Sequence, residues 1–293
     1  MPANSWAAAC APRHRLFSVL SCPLCGEPFR PADGALRCAR GHSFDVARQG
    51  HVTLLPGGTR APRADTAPMV RARAAFLDSG RYAPLTDALT ERAAALPVPL
   101  SRDVVLDAGT GTGHHLARIL DALPGAVGLG MDASPYALRR AARAHPRLGA
   151  VGWDVWRPLP VRTGSVGLLV NVFAPRNAPE FRRVLRPDGA LLVVTPTGRH
   201  LAELRRDLGL LSVGAGKEER LRGALAGGFT EVGTSVREFA LDLAEDDVVD
   251  LVTMGPNAHH ADGLRARAGT LPRTPDGTYR TTASFRLSVF APR

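Results

Sequence analysis

Three cysteines and one histidine fall within twenty-one residues near the start of this 293-residue chain: Cys22 and Cys25 in CPLC, then Cys38 and His42 in CARGH. That donor set and spacing belong to a closed tetrahedral zinc site, in which the protein fills every coordination position and none is left for a substrate. Gly26 follows the first pair and Gly41 lies within the second, where a backbone wrapped around a metal needs permissive dihedrals. The stretch between them, EPFRPADGALR, reads as a short hairpin turning at Asp33-Gly34. A unit of about forty residues cannot hold itself together by apolar burial. The metal is therefore expected to supply folding free energy on the order of 10 kcal/mol, and the zinc is read as structural. A redox CxxC pair is the alternative, but it gives Cys38 and His42 nothing to do. Cys10 lies outside the set and is expected to be inert.

The remaining length, with 45% hydrophobic residues over the whole chain, suffices for one large core beside this appendage. Long disorder, collagen and miniature disulfide scaffolds are excluded. No window reaches the roughly 18 uninterrupted apolar residues of a membrane helix. The start carries Arg13, His14 and Arg15 where a signal peptide places its apolar stretch. A soluble, cytoplasmic protein with no membrane partner is expected. A Pro/Gly/Arg-rich connector, PGGTRAPRADTAP, follows the zinc set and puts a boundary near residues 56 to 66. Beyond it, apolar stripes written through Met69, Arg73, Phe76, Leu77, Leu85, Leu89 and Leu96 predict helix, broken at Ser79-Gly80 and Pro84. The expected division is an extension over 1–18, a zinc-binding domain over 19–58, a linker and helical segment over 59–100, and an α/β domain over 101–293.

From Asp103 the chain alternates strand and helix. In DVVLDAGTGTGHHLARIL an apolar run ends in Asp107, a loop with Gly109, Gly111, Thr112 and Gly113 follows, and a helix starts near His114. This is a nucleotide-type turn, with backbone N–H groups and a helix N-terminus facing the ligand. The dinucleotide fingerprint needs glycine at 114, and a glycine turn also serves plain helix-on-sheet packing. The second run, AVGLGM, ends at Asp132, twenty-five residues after Asp107. A carboxylate at that strand tip can accept both ribose hydroxyl hydrogens in NAD and S-adenosylmethionine sites alike. A third run leads to Trp153-Asp154, VGLLVNVFAP makes the fourth strand, and LRPDGALLVVTP a turn and a fifth.

The set DAGTGTG, MDAS, WDVWRPLP, NVFAPRN and LRPDGALLVVTP resembles the class I S-adenosylmethionine-dependent methyltransferases over roughly residues 103 to 208. The resemblance implies a Rossmann-like, mostly parallel α/β sheet closed by antiparallel strands, which FTEVGTSVREFAL and TASFRLSVFAP can supply. With CPLC, CARGHSFDVARQGHVTLLPGG, ARAAFLDSGRYAPL, TPTGRHLAEL and VTMGP added, nearly the whole chain is similar to the zinc-containing 23S ribosomal RNA guanine-N1 methyltransferases of the RlmA type. It looks most like the actinomycete branch that gives tylosin and mycinamicin producers resistance. That implies S-adenosylmethionine as cofactor, a guanine in the hairpin 35 loop of 23S rRNA as target, and a homodimer. One departure is MGPNAHH, with His259 and His260 where the family often has an aromatic. Carried onto matching positions, the resemblance puts Asp107, Gly109, Gly111, Thr112 and Gly113 at the cofactor, its methionine part facing the glycine loop. Asp132 would take the ribose and Asp154 the adenine amino group, with Tyr82 and His200 also touching the cofactor. In the structural alternative, Asp107 and Asp154 cap turns while Tyr82 and His200 only pack.

A sulfonium is already an activated methyl donor, so positioning dominates the chemistry. Guanine N1 must still lose a proton, and His114, His115 and the NVFAPRN loop are the candidates near it. There Asn171 could orient the base edge, Phe173 stack on the purine and Arg176 hold a phosphate. Alternatively Phe173 is core and the two histidines only begin a helix; no general base is singled out. Charge supports an RNA partner. The chain carries +10, and residues 1 to 92 hold twelve arginines against seven acids, half of that excess. A solvated basic face is the plain alternative. Two other functions share these features. A small-molecule methyltransferase of an antibiotic pathway would gain nothing from a basic zinc module, and a non-enzymatic zinc-dependent RNA-binding protein would not need an intact glycine loop with both carboxylates.

Overall fold

The structure, a computed structural model, describes residues 14–56, 64–98, 100, 103–210, 216–260 and 263–293. Cys10 and the connector over 57–63 lie outside the described residues, as do the side chains of His259 and His260. Helix α1 (His14–Val19) leads into a three-stranded antiparallel sheet of β1 (Phe29–Ala32), β2 (Ala35–Cys38) and β3 (Ser43–Asp45). Its first hairpin turns at Asp33-Gly34, as the sequence predicts, with Gly34 at φ 66°. Strand β4 (His51–Thr53) follows, then α2 (Ala67–Asp78) and α3 (Ala83–Ala94), separated at Ser79-Gly80.

The alternating part begins with β5 (Val104–Ala108), α4 (His114–Ala122), β6 (Val127–Asp132), α5 (Pro135–Ala144) and β7 (Leu148–Gly152). It continues through β8 (Val166–Val172), α6 (Ala178–Val184), β9 (Leu185–Pro196), α7 (Ala202–Leu208) and α8 (Lys217–Leu225). The chain closes with β10 (Phe229–Leu243), α9 (Glu245–Thr253), a 3-10 turn over Pro256–His260, α10 (Leu264–Gly269) and β11 (Tyr279–Pro292). The large sheet runs β10-β11-β9-β8-β5-β6-β7-β4. Strands β4 to β9 pair in parallel, and β11 runs antiparallel to both β9 and β10. Strand order reverses between β6 and β8 on either side of β5, the crevice where open α/β sheets take their ligands. Spatially from β7 to β10 this is the mostly parallel sheet with an antiparallel closing pair that the sequence resemblance implies.

Strand β4 is the addition. Residues 51–53 pair in parallel with Ala150, Val151 and Gly152, so a segment that follows the zinc ligands forms the outer strand of the large sheet. Because side chains alternate along a strand, the sheet feeds two cores. Val105, Leu168, Val170, Leu192 and Val194 face α2, α3, α4, α5 and the C-terminal helices. Val104, Leu106, Leu169, Leu191 and Val193 face α6 and the zinc module, in a core that also holds Leu20, Cys22, Phe29, Leu36, Cys38, Val52 and Leu54. Backbone bonds reinforce the seam: Ser21 N–H donates to Pro160 O at 3.0 Å and Arg162 N–H to Val19 O at 2.8 Å. The zinc module thus shares apolar core with the sheet. No helix among the described residues is long and apolar enough to cross a membrane.

Candidate active site and metal centre

At the N-terminal end, two tight turns bring the four ligands together. Gly26 N–H donates to Cys22 O at 2.8 Å and Gly41 N–H to Cys38 O at 3.0 Å. One ligand atom from each of Cys22, Cys25, Cys38 and His42 lies within 4.8 Å of the other three. The Nδ1 of His42 is 3.5 Å from Cys22 Sγ and 3.4 Å from Cys38 Sγ, and the Cys25 and Cys38 sulfurs are 3.6 Å apart. Thiolates about 2.3 Å from a tetrahedral centre lie roughly 3.7 Å from one another, so the donors fit zinc without rearrangement. Burial pushes the Cys22 thiol up to about 11. At Cys38 burial acts the same way but is outweighed, chiefly by the backbone N–H groups of His42 and Arg40 and by the neighbouring thiols, which bring it down to about 7. A cation at the centre would stabilise all three thiolates.

At the carboxyl ends of β5 and β6, the glycine loop is bent back over the sheet. Gly109 and Thr110 both donate to Met131 O at 2.9 Å. Gly109 has φ 89°, and a Cβ there would stand 2.3 Å from the Cβ of Ala174; only glycine admits this approach of two loops. Gly113, at φ 81°, caps α4 against Ala141 of α5. Asp132 is held by two backbone donors, Gly111 N–H to Oδ2 and Ser134 N–H to Oδ1, each at 2.8 Å. Each oxygen keeps a second lone pair, which is the arrangement needed to accept two vicinal hydroxyls. Burial raises its carboxyl despite those two donors. Asp107 is fully enclosed; its Oδ1 has no partner among the described residues, and burial pushes it up to about 7. Thr112 is buried in the same loop.

Asp154 follows β7 and caps a turn, its Oδ1 accepting from Trp156 N–H at 3.0 Å, with the other carboxylate oxygen free of that bond. Tyr82 and His200, 118 residues apart, come together with Oη 3.4 Å from Nε2. Ser284 N–H donates to His200 Nδ1 at 3.3 Å, which puts the proton of the neutral ring on Nε2. Burial pushes the Tyr82 hydroxyl far above its ordinary value. Both rings pack on Phe285, with centroids 5.1 Å away for Tyr82 and 4.6 Å for His200.

The loop after β8 carries the base-side candidates. Asn171 is buried and spends both amide hydrogens on backbone, on Ala108 O at 3.0 Å and Pro175 O at 2.9 Å; its Oδ1 has no partner among the described residues. It therefore ties this loop to the end of β5 and leaves one acceptor. Phe173 has φ 54°, an unfavourable conformation for a bulky residue, and is 45% exposed with its ring 5.4 Å from Phe285. Strain that holds an aromatic face at the surface fits a stacking platform better than core. Arg176 is half-buried with an unpartnered Nε, and burial lowers its pKa. A guanidinium left in that state calls for an anion.

His114 and His115 sit apart from that loop. His115 Nδ1 is 3.2 Å from Thr86 Oγ1, and burial depresses it to about 3, so the ring is neutral. His114, also lowered by burial, lines a cleft of about 870 Å³ between α2, α3, α4 and α5 with Arg118, Arg139 and Arg143. Two further residues matter. Arg73, read in the sequence as part of an apolar stripe, reaches over the glycine loop: its Nη1 comes within 3.3 Å of where a Gly111 side chain would begin, and it pairs with Asp65 and donates to Met254 O at 2.8 Å. A helical stripe of otherwise apolar residues hid it; a lone arginine in such a stripe is the signal. Phe285 is the hub of the aromatic cluster, and on a strand it reads as ordinary core.

Comparison with known proteins agrees along the chain. Residues 20–61 match the family model described as the N-terminal zinc ribbon of RlmA. A protein of Micromonospora griseorubida described as a 23S rRNA (guanine-N(1)-)-methyltransferase is 51% identical over 294 residues, covering 94% of this chain and 98% of its own. The 23S rRNA (guanine(748)-N(1))-methyltransferase of Streptomyces fradiae is 49% identical over 285 residues, covering 96% and 99%. A similarly described protein of Bacillus subtilis strain 168 is 33% identical over 198 residues, 66% of this chain and 69% of its own.

Proposed function

This chain belongs to the family of zinc-ribbon 23S rRNA (guanine-N1)-methyltransferases, and from that premise we propose that it methylates N1 of a guanine in the hairpin 35 loop of 23S rRNA, with S-adenosylmethionine as donor. The observation that carries the proposal is the meeting, on one edge of the sheet, of a ribose-competent Asp132 with an exposed, strained Phe173 and an anion-seeking Arg176. The bound cofactor supplies an activated methyl group on a sulfonium. The N1 proton passes to water as the methyl arrives, and the chain binds and positions the reactants. The glycine loop admits the cofactor close to backbone, Asp132 accepts its ribose hydroxyls, and Asp154 takes the adenine amino group. Tyr82 and His200 brace the wall beside it. Phe173 offers a face to the extruded guanine, as single-stranded RNA loops are read by stacking and by their pairing edges. Asn171, fully buried, holds that loop to the end of β5 through Ala108 O and Pro175 O and so positions Phe173. His115, neutral and tied to Thr86, is a helix-face residue.

The zinc ribbon supplies basic surface for the RNA, and the modification protects the ribosome from tylosin-type macrolides. The chain works in the cytoplasm, as a homodimer whose two ribbons flank one RNA. The test is transfer of labelled methyl from S-adenosylmethionine to 23S rRNA, followed by digestion to nucleosides. Label in 1-methylguanosine supports the proposal. Label only in a macrolide precursor contradicts it and favours a small-molecule enzyme; no cofactor binding at all favours a non-enzymatic RNA-binding protein.

A further inference from the structure

The loop after β7, WDVWRPLP, is braced from both sides. On the zinc side Ser21 N–H donates to Pro160 O at 3.0 Å, and Leu20 bridges to Val161. On the base side Asn177 Nδ2 donates to Val155 O at 3.0 Å and Arg157 O at 3.4 Å, and Arg183 Nη2 donates to Leu159 O at 2.9 Å. Within the loop, Asp154 accepts Trp156 N–H on its side chain and Arg157 N–H on its carbonyl, both at 3.0 Å. Side chains alternate in this frame. Trp153, Val155 and Leu159 are buried in the core shared with the zinc module, whereas the indole of Trp156 is 63% exposed. A large apolar ring is thus held in water by a backbone that hydrogen bonds fix on either side.

Two acids at this loop are already engaged, Asp154 with Trp156 N–H and Glu180 with Leu159 N–H and Arg183, and two arginines, one in the loop and one beside the residue that clamps it, are not. Arg157 is exposed and has neither an ion pair nor a side-chain hydrogen bond among the described residues, and Arg176, next to the Asn177 clamp, is half-buried with an unpartnered Nε. Protein interfaces also enrich Trp and Arg, but a net charge of +10 and relatives described as 23S rRNA methyltransferases favour a nucleic-acid partner. An exposed ring on a rigid turn, with Arg157 next in the chain and Arg176 next to the Asn177 that holds the turn, fits stacking of a nucleobase with arginines for its phosphates. We propose that Trp156 is a second stacking site for the RNA, taking an unpaired base of the loop other than the methylated guanine, with Arg157 and Arg176 on the adjoining phosphates. This rests on the RNA-methyltransferase reading above. Trp156 stands on the loop that joins the ribbon to the carboxyl edge of the sheet and adds affinity for the RNA.

The test uses the full-length, zinc-loaded protein with a fluorescein-labelled hairpin 35 oligoribonucleotide, and Trp156→Ala beside Trp156→Phe. The Ala variant should lose roughly ten- to hundredfold in RNA affinity by anisotropy, the range of one stacked base, while the Phe variant recovers most of it. The KM for RNA should rise in the Ala variant with kcat kept at saturating RNA, and calorimetric affinity for S-adenosylhomocysteine should stay at the wild-type value. RNA affinity unchanged in the Ala variant overturns the inference. So does an equal fall in S-adenosylhomocysteine affinity, which would assign the indole to the cofactor. If the wild type methylates the oligonucleotide while Trp156→Ala binds it normally, only this inference falls. If the wild type neither binds nor methylates it, the functional reading falls as well.

Discussion

The zinc module and the catalytic sheet use charge in opposite ways. Arg30, Arg37, Arg40 and Arg48 in the module are exposed and carry no ion pair or side-chain hydrogen bond among the described residues. In the C-terminal half, many arginines are tied down, such as Arg183 to Glu180, Arg286 to Glu218 and Arg280 to Asp242, each at 2.7 Å, and exceptions such as Arg157 and Arg176 lie in the loops after β7 and β8. The two strand-tip carboxylates, Asp107 and Asp132, are withdrawn from water, and burial raises both. Charge satisfied inside the fold contributes to the fold; charge left in water is available to a polyanion. The difference teaches that net charge over the whole chain says little, and that the location of unpaired charge says where RNA is met. Apolar packing tells the reverse story, because there the two regions are continuous.

Zinc removal should break this comparison most strongly. The metal's contribution is on the order of 10 kcal/mol, and the core it supports reaches Trp153, Leu159 and Leu106. Chelation, or Cys22→Ser with Cys25→Ser, should lower the melting temperature of the catalytic sheet as well as abolish rRNA methylation. A sheet that melts unchanged by calorimetry would show that the shared core is energetically idle.

The next largest effect lies in the pocket. Burial raises Asp107 to about 7. A carboxyl whose value is higher folded than unfolded stabilises the fold while protonated, so its contribution is complete below about pH 4 and is lost as pH rises through about 7. Cofactor-free protein should therefore lose stability between about pH 4 and pH 7, by up to roughly 4 kcal/mol from this group, and level off above that. Asp107→Asn should flatten that slope in denaturant titrations; parallel slopes for variant and wild type would contradict the assignment.

Asp132→Ala should weaken S-adenosylmethionine by about 1.5 to 3 kcal/mol, the scale of hydrogen bonds to a charged group. Calorimetric affinity equal to wild type would remove Asp132 from the ribose. Smallest per residue are the arginines. Arg30→Ala, Arg37→Ala, Arg40→Ala and Arg48→Ala together should leave the melting temperature unchanged and flatten the salt dependence of RNA binding by about 0.7 to 0.9 for each phosphate no longer neutralised. Arg280→Ala, from an exposed pair, should change stability by less than about 1 kcal/mol and leave the salt slope alone. Equal slopes for the two sets would erase the comparison.

What the sequence made legible were features with short-range chemistry. Four metal donors at fixed spacing, acids at strand tips and the Asp33-Gly34 turn each follow from local geometry, and the chain places them as expected. The misses are long-range. His51–Thr53 is too short to show strand periodicity, and its partner lies about a hundred residues away in β7. Arg73 reads as one position of a helical stripe, since its partner Met254 lies 181 residues away and the glycine loop it covers follows β5. Asn171 is a polar residue in an apolar strand, yet nothing local reveals that its amide is spent on Ala108 and Pro175.

The most direct test of the account is reverse transcription across hairpin 35 of 23S rRNA from cells with and without this protein. A guanine methylated at N1 has lost its pairing edge, so the reverse transcriptase should stop one nucleotide short of it in cells making the wild type and read through in cells making Asp132→Ala or the Cys22→Ser, Cys25→Ser variant. Full-length product from cells making soluble wild-type protein would contradict it.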